Sequence, residues 1–325
     1  MTGAACRIRM KPHTPHSSIP SRWPLPRALL VAVTAALAGT GYMLFEAQWL
    51  RLRRRRIELP GLPTELEGLR LLHISDLHAG APGPARRAIA KLARASRKAD
   101  ADIVLFTGDM TDKKKDLRPF LPLLAEINGR YGKFAVLGNH DHGLRKTVLQ
   151  DLARRITGHS RRGRKEIPTC DLSETVTLNR ELLSQAGIRL LENECATLMT
   201  RGGGVQVCGV DDFLYGYADF ESTARQVDRS NGLRLLLTHS PDAVEWVPDG
   251  VYNLVLAGHT HGGQICLPHP TKSKILLSTS GSDFGAGVYR LEDFTMHVSP
   301  GVGTTLLPFR LLSRPEITLL ELVSG

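Results

Sequence analysis

LRLLHISDLH, residues 69–78, shows the pattern from which the fold can be predicted, because in it a short apolar run ends on Asp76 and His78. Four further runs end in the same way; they are ADIVLFTGD (101–109), GKFAVLGNHD (132–141), LRLLLTHS (233–240) and VYNLVLAGHTH (251–261). Each run is short, β-branched or Leu-rich and bounded by Gly or polar residues, which is typical of a buried strand. Because α/β proteins place their chemistry where strands end, the five runs predict an α/β fold with a site at these ends.

The side chains at the strand ends are of the kinds that hold metal ions. The seven candidate ligands are Asp76, His78, Asp109, Asn139, His239, His259 and His261. Asp76 and His78 stand two residues apart, and His259 and His261 repeat this spacing, so each pair points to one side. A nitrogen and oxygen donor set without thiolate suits Mn²⁺, Zn²⁺, Fe²⁺ or Co²⁺, with Mn²⁺ as the leading candidate. Five such strand ends in one chain predict a metalloenzyme.

Two divalent cations would give this set a definite chemistry. The Asp109 carboxylate has two oxygens and can bridge two cations. Two cations about 3.5–4 Å apart lower the pKa of water and neutralise a phosphate, so that water can attack phosphorus in line. The leaving oxygen then needs a proton, and His140, beside Asn139, is the candidate general acid. The chain is therefore predicted to hydrolyse a phosphoester or pyrophosphate bond.

The positive charge of the chain is concentrated near its start. The net charge is +10, but residues 1–56 contain ten Lys and Arg and a single acid, Glu46. The other 269 residues, with 32 basic and 31 acidic side chains, are almost neutral. This disfavours a broad polyanion-binding surface, and we expect no nucleic-acid partner.

The cysteines give little sign of a disulfide framework. Five cysteines is an odd number, and none of them are separated by the two-residue gap of a zinc or redox motif. We expect free, mostly buried thiols and a reducing compartment.

Residues 28–45 form 18 uncharged and mostly apolar positions. As a helix they would extend about 27 Å, against a hydrocarbon core of about 30 Å. We predict a disordered basic tail over 1–25, a membrane anchor helix over 26–50 and a basic juxtamembrane linker over 51–62. A cleaved signal peptide is an alternative, because Ala36-Leu37-Ala38 resembles a cleavage site. A third is an apolar helix packed on the protein. The arginine cluster after the helix favours a cytoplasmic catalytic domain, whereas the basic residues before the helix favour the opposite orientation; these are Arg7, Arg9, Lys11, Arg22 and Arg27.

The motifs DLH, GDMTD, GNHDH, LTHSPD and GHTHGGQ occur in the order and spacing of the calcineurin-like metallophosphoesterases, which this chain resembles. The resemblance implies a catalytic domain over 63–325, built as a central β-sandwich flanked by helices in four layers. It also implies two metal sites that share one carboxylate. One metal would take Asp76, His78, Asp109 and His261; the other would take Asp109, Asn139, His239 and His259.

Departures from the family pattern narrow the subclass. The Asp-Arg-Gly that follows GD in Ser/Thr protein phosphatases is missing, and Asp112 stands where purple acid phosphatases carry a Tyr ligand. The N-terminal apolar segment, GHTHGGQICLP and the sequence of residues 299–322 resemble the bacterial membrane-associated branch. Some members of that branch hydrolyse UDP-2,3-diacylglucosamine in lipid A synthesis, and others are generic phosphodiesterases. The resemblance thus implies a phosphorylated small-molecule or lipid substrate, a membrane partner and a bacterial inner-membrane location.

Two other functions stay open. The first is a phosphodiesterase or phosphatase on a soluble substrate, and the second is a non-catalytic scaffold on the same fold. Substrate-binding residues are not assigned. The basic segment 144–165 is either a solvated surface or a flap over the site, and residues 211–220 are either a substrate wall or core packing. Asp112 and Asp141 are expected to orient ligand histidines.

Overall fold

The computed structural model describes residues 27–80, 83, 85–111, 117–142, 173–267, 274–275, 282–305 and 307–325. The chain divides into two compact units, Met1–Thr40 and Gly41–Gly325. The described strands all lie in the second unit and form two six-stranded sheets and one two-stranded ribbon. The predicted tail, the basic segment 144–165 and Asp112 lie outside the described residues.

The first sheet contains the first three of the five apolar runs as adjacent parallel strands. Numbered in chain order, its strands are β1 (Arg51–Leu59), β2 (Arg70–Ile74), β3 (Ile103–Thr107), β4 (Gly132–Val136), β5 (Arg189–Leu190) and β14 (Glu316–Ser324). Their order is β1-β14-β2-β3-β4-β5. Strands β2 to β5 run parallel, whereas β14 is antiparallel to β2 and parallel to β1.

The second sheet contains the other two runs, again as parallel neighbours. Its strands are β6 (Glu194–Thr200), β7 (Gly203–Gly209), β8 (Leu233–Leu237), β9 (Leu254–Ala257), β12 (Gly287–Arg290) and β13 (Thr295–Val298). Their order is β12-β13-β9-β8-β7-β6, and β7, β8, β9 and β13 are parallel. The ribbon pairs β10 (Cys266–Leu267) with β11 (Lys274–Ile275).

Successive side chains of the buried strands point to opposite faces of their sheet, and this alternation produces the layers of the fold. In β2, Leu71 belongs to the core between the two sheets, together with Leu235 of β8, whereas Leu72 and Ile74 face the helices. The described helices are α1 (Arg27–Glu46), α2 (Ala85–Ala90), α3 (Leu92–Ala99), α4 (Leu121–Ala125), α5 (Ser173–Gln185) and α6 (Phe220–Arg225). Residues of α2 to α5 cover the first sheet, and Phe220 packs on the outer side of the second. The predicted α/β fold, a β-sandwich flanked by helices, is confirmed.

The predicted basic linker at 51–62 is wrong over most of its length, because Arg51–Leu59 forms strand β1. This strand pairs in parallel with β14 along all nine residues and lies at the sheet edge. The Glu316 carboxylate, 2% exposed, accepts a hydrogen bond from Nε of Arg51 at 2.6 Å. Charged side chains on an edge strand also discourage pairing with other chains. The partner strand lies about 260 residues later, so no local pattern reveals it.

The expectation of free thiols is also wrong for two of the five cysteines. Cys195 and Cys208 form a disulfide between directly opposed positions of β6 and β7. Cys266 is a free, buried thiol, as expected. The disulfide was missed because 13 residues separate the two cysteines, and only the β6–β7 register brings their Cα atoms to 4.0 Å.

Helix α1 contains the apolar segment of residues 28–45. Among the described helices, it alone has the length and composition needed to cross a bilayer. Both properties are shared by signal sequences. The last turn of α1 belongs to the second unit, where the Glu46 side chain is buried.

Candidate metal centre

The seven predicted ligands all lie directly after the carboxyl ends of parallel strands. Asp76 and His78 follow β2, Asp109 follows β3, and Asn139 follows β4. From the second sheet, His239 follows β8, while His259 and His261 follow β9. Because the strands are parallel neighbours in each sheet, their ends meet at one edge of the sandwich. The structure therefore brings together residues from widely separated parts of the chain.

One cluster of metal-type donors consists of Asp76, His78 and His261. The Nε2 atoms of His78 and His261 are 3.0 Å apart, and Nε2 of His261 lies 3.4 Å from Oδ1 of Asp76. All three side chains are almost completely buried. Two imidazole nitrogens and a carboxylate oxygen that converge in this way match the donor set expected for a divalent ion.

A second cluster consists of Asp109, His239 and His259. Nε2 of His239 lies 3.1 Å from Nδ1 of His259 and 3.3 Å from Oδ2 of Asp109. The ring of His239 is held by a contact of 2.8 Å between its Nδ1 and the carbonyl oxygen of Thr107. A carbonyl only accepts, so Nδ1 carries the proton and Nε2 offers its lone pair to the cluster.

Asp109 connects the two clusters. Its Oδ2 atom lies 3.3 Å from Nε2 of His239 and 3.6 Å from Nε2 of His78, which belongs to the first cluster. Its Oδ1 atom accepts a hydrogen bond of 2.8 Å from the backbone N–H of His140. The carboxylate thus lies between the two donor sets, as a bridging ligand must.

The backbone at the site is held in an unfavourable conformation. Nine described residues other than glycine have a positive φ, and five of them are candidate ligands: Asp76, His78, Asp109, His259 and His261. Their φ angles lie between 45° and 67°. The left-handed conformation costs L-residues about 1–2 kcal/mol each, and such strain concentrates at functional sites.

Glycines allow the strand ends to approach one another. A Cβ atom on Gly108, the residue before Asp109, would lie 2.6 Å from Nδ1 of His239. A Cβ atom on Gly258 would overlap Oγ of Ser75 and meet Oδ2 of Asp76 at 2.5 Å. These positions require glycine because side chains of the site fill the space that a methyl group would need.

Asn139 has a buried oxygen atom that is available to bind a cation. Oδ1 of Asn139 is buried and has no hydrogen-bond partner among the described residues. A buried amide oxygen without a donor is costly unless something else satisfies it, and a divalent cation is a suitable partner. Asn139 accordingly fits the role of a neutral oxygen ligand.

Buried carboxylates dominate the electrostatics. Burial and the neighbouring charge of Asp109 raise the pKa of Asp76 to about 6. Burial alone would lower the pKa of His239, but the carboxylates of Asp109, Asp76 and Asp212 raise it to about 10. Burial would raise the pKa of Asp109, yet His239 and His140 hold it well below its usual range. The site thus attracts positive charge, and a bound cation would replace the second proton of His239, the one on Nε2.

His140, the predicted general acid, lies at the rim of the first cluster. It is partly exposed, and its ring contacts that of His78 edge-on, with centroids 4.6 Å apart. His140 also belongs to a group of three donors with His78 and Asp109. A histidine at this position can reach both the cluster and a substrate that enters from solvent.

Among the described residues, the Asp141 side chain bonds to no ligand histidine, contrary to expectation. Its Oδ1 accepts from N–H and Oγ of Thr111, and its Oδ2 accepts from N–H of Gly138 and Met110. The side chain therefore ties the loop after β3 to the loop after β4. In the 211–220 segment, Tyr215 and Phe220 are buried in packing, which supports the core interpretation for those two residues.

A buried hydrogen-bond chain that the sequence did not reveal ends on Asp76. Nδ1 of His297 lies 2.8 Å from Nδ1 of His73, and Nε2 of His73 lies 2.8 Å from Oγ of Thr107. The Thr107 hydroxyl donates to Oγ of Ser75 at 2.8 Å, and Ser75 donates to Oδ2 of Asp76 at 2.6 Å. Burial lowers the pKa of His73 to about 3, so the chain stays neutral. It joins both sheets to one candidate ligand.

Arg310 is a second residue that sequence reasoning missed. It is completely buried and donates to the carbonyl oxygens of Gly303, Pro300 and Ser313 at distances of 2.9–3.1 Å. One of its nitrogens lies 3.3 Å from Nδ1 of His261. Burial lowers the pKa of Arg310 to about 10, so it is charged at neutral pH. No spacing in FRLLSRP marks this arginine, because its partners come from other segments.

Comparison with known proteins agrees with this geometry. The sequence profile described as calcineurin-like phosphoesterase matches residues 69–263, more than half of the chain. The chain belongs to the calcineurin-like phosphoesterases. It is a hydrolase of phosphate esters, as predicted, and this family generally binds two divalent metals.

Among its relatives, this phosphoesterase is 28% identical to the uncharacterized metallophosphoesterase YkuE of Bacillus subtilis, over 91% of this chain and 94% of YkuE. It is 27% identical to the phosphodiesterase YaeI of Escherichia coli, over 91% of this chain and 98% of YaeI. It is 28% identical to the UDP-2,3-diacylglucosamine pyrophosphatase LpxG of Chlamydia trachomatis, over 85% of this chain and 90% of LpxG.

The chain of hydrogen bonds onto Asp76 generates a prediction. Thr107→Val removes the hydroxyl that links His73 to Ser75 while keeping the shape of the side chain. Metal affinity should fall about 10–100-fold, because Ser75 would lose the partner that orients it towards Asp76. Isothermal titration with Mn²⁺ measures the change. Thr197→Val, at an exposed position of β6, is the matched control, and equal affinities for the two variants would contradict the role of the chain.

Proposed function

We propose that this phosphoesterase uses two divalent cations, with Mn²⁺ as the leading candidate, and that the seven strand-end residues hold them. One cation would take Asp76, His78, Asp109 and His261; the other would take Asp109, Asn139, His239 and His259. The observation that carries this proposal is the position of the Asp109 carboxylate between two buried donor clusters. When bound, two such cations supply Lewis-acid activation of water and neutralise charge on a phosphate.

The side chains of the protein would then perform distinct tasks. Asp109 would hold the two donor clusters close together. His239 would direct Nε2 towards its cation, because the carbonyl oxygen of Thr107 binds its Nδ1. His140, at the partly exposed rim, donates a proton to the leaving oxygen of the substrate. Burial of the other donors keeps bulk water away from the ligands and strengthens their electrostatic interactions.

We propose a membrane-resident pyrophosphate, such as UDP-2,3-diacylglucosamine, as the substrate class. The similarity to LpxG and the apolar helix α1 support this choice. The similarity to YaeI favours a second candidate, a phosphodiester without a lipid chain. Hydrolysis of the nucleotide lipid in mixed micelles should exceed hydrolysis of bis-p-nitrophenyl phosphate if the first proposal holds. The reverse order would favour the phosphodiesterase.

We further propose a bacterial inner-membrane location with the catalytic domain on the cytoplasmic side. The arginines of β1 directly after α1 support this side. The Cys195–Cys208 pair is the opposing observation, since disulfides persist mainly in oxidising compartments. Thiol alkylation in intact cells distinguishes the two sides of the membrane. Reduced cysteines would agree with a cytoplasmic domain, and an oxidised pair would place the domain outside the cytoplasm.

Asp109→Ala should remove both metals and abolish hydrolysis, because both clusters lose the carboxylate that they share. Asp76→Ala should leave the second cluster able to hold one cation. Metal analysis of the purified variants gives the stoichiometry directly. If the Asp109 variant still bound two metals per chain, the proposed ligand arrangement would be wrong. A wild-type chain that binds metal but hydrolyses nothing would favour the scaffold.

His140→Ala should keep both metals and slow turnover by about 10²–10⁴-fold, the usual contribution of a general acid. The loss should be smaller for a substrate with a p-nitrophenolate leaving group, which needs no proton. Steady-state rates for a series of leaving groups test this expectation. Equal losses across the series would contradict the assignment of His140 as the acid.

A further inference from the structure

Two segments with many basic side chains meet just after the last turn of helix α1. Nη1 of Arg87 donates to Oε1 of Gln48 at 2.6 Å, and Nζ of Lys91 donates to the carbonyl oxygen of Gln48 at 2.9 Å. Nη2 of Arg54, in β1, donates to the carbonyl oxygen of Lys98 in α3 at 2.9 Å. These contacts join residues 48–56 and 85–98 into one continuous surface.

The charge of this surface is positive. Residues 85–99 contain six Lys and Arg and no acidic residue, and residues 42–57 contain five Arg with Glu46 alone against them. Glu46 is buried and accepts hydrogen bonds from Leu312 and Ser313, so its carboxylate is not exposed on this surface. Several of the cations are exposed and form no ion pair with any described residue; these are Arg54, Arg86, Arg87, Lys91, Arg94 and Lys98. A chain that is almost neutral beyond residue 56 therefore still has a strongly basic face.

Large apolar side chains stand exposed beside these cations. Phe45 and Trp49 are 56% and 41% exposed, and their ring centroids are 5.4 Å apart. The guanidinium of Arg314 lies 3.4 Å over the Trp49 ring. Leu312 is 53% exposed and has a φ of 56°, which is unusual for leucine. The backbone N–H of Leu312 donates to Glu46, which holds this conformation.

We propose that this basic–aromatic face, formed by these six exposed cations with Phe45, Trp49 and Leu312, docks on an anionic phospholipid surface. The inference rests on the proposed membrane location and adds to it a surface of the catalytic domain. Aromatic rings and arginine are the side chains that settle at the boundary between headgroups and acyl chains. Lysine and arginine outside that boundary are attracted by anionic headgroups. The face contains both kinds of side chain.

Docking through this face would hold the metal centre near the headgroups. Oε1 of Glu46 accepts a hydrogen bond of 3.0 Å from N–H of Ser313. Oγ of Ser313 in turn donates to the carbonyl oxygen of His261 at 2.9 Å. Two hydrogen bonds thus separate the end of α1 from a candidate metal ligand. A phosphate or pyrophosphate within a lipid headgroup would meet the site without leaving the membrane surface.

A nucleic acid is the other polyanion that a basic face can bind, but the apolar side chains favour a bilayer. Phe45 lies in the last turn of an apolar helix, and Leu312 offers no ring for a base to stack on. Cations that bind a duplex track its phosphates without needing exposed aliphatic side chains beside them.

The experiment places an environment-sensitive fluorophore at Ala90→Cys, an exposed position of α2 within the face. The full-length chain also carries Cys6→Ser, Cys170→Ser, Cys195→Ser and Cys208→Ser, and it is reconstituted in vesicles whose headgroups bear a nitroxide quencher. The matched control carries the label at Ser230→Cys, an exposed position in the loop before β8. That loop lies at the amino ends of the strands, opposite the edge that carries the metal centre. Unchanged metal content shows that each variant is folded.

Quenching at position 90 should be stronger in phosphatidylcholine vesicles that contain phosphatidylglycerol than in phosphatidylcholine alone, and high salt should reverse it. Position 230 should show little quenching in either. The Arg86→Gln/Arg87→Gln/Lys98→Gln variant should lose the difference, since each cation near an anionic surface contributes roughly a fivefold increase in binding.

Equal quenching at position 90 in both kinds of vesicle, or equal quenching at positions 90 and 230, would overturn the docking proposal. A duplex DNA that competes with the anionic vesicles at equal phosphate concentration would also overturn it, in favour of nucleic-acid binding. None of these measurements uses hydrolysis. If the face docks but no lipid pyrophosphate is hydrolysed, the proposed substrate is wrong and the docking stands.

Discussion

The carboxylate of Asp109 is the constraint on which the structure depends. It is buried where two sheets converge, and it is shared by donor clusters that come from both. A carboxylate in such a place is stable only if positive charge and hydrogen-bond donors surround it. His78, His239 and the N–H of His140 supply part of that requirement. The parallel strands of each sheet make this possible, because their carboxyl ends bring these groups to one edge.

The site is assembled at the expense of local backbone stability. Five candidate ligands have left-handed φ angles, and glycines beside them leave no room for a side chain. Strain of about 1–2 kcal/mol at each such residue persists only where the surroundings fix the conformation. Here the surroundings are two rigid sheets and the buried chain from His297 through His73 to Asp76. The large apolar core between the sheets therefore fixes the positions of the ligands and also stabilises the fold.

The sequence revealed most of the site because the pattern that marks it is local. An apolar run followed by Asp, Asn or His predicts both a strand and the donors at its end, and Asp76, Asn139 and His239 were found in that way. Arg310, Ser75 and His297 were not found, since their roles depend on partners in distant segments. Strand β1 was missed for the same reason. Its arginines suggest a linker, and only the pairing with β14 and the ion pair with Glu316 show that it is a strand.

The buried last turn of α1 is part of the catalytic domain. The Glu46 carboxylate accepts hydrogen bonds from Leu312 and Ser313, and Ser313 also contacts the backbone of His261. Residues 41–46 are therefore part of the catalytic domain and cannot be regarded as a tether that ends before it. Cleavage after Ala38, the alternative to a membrane anchor, would leave these residues in place. The Glu46 and Ser313 contacts would therefore support the metal centre in both the anchored and the cleaved chain. The two chains would differ in their membrane contact and not in the integrity of the site.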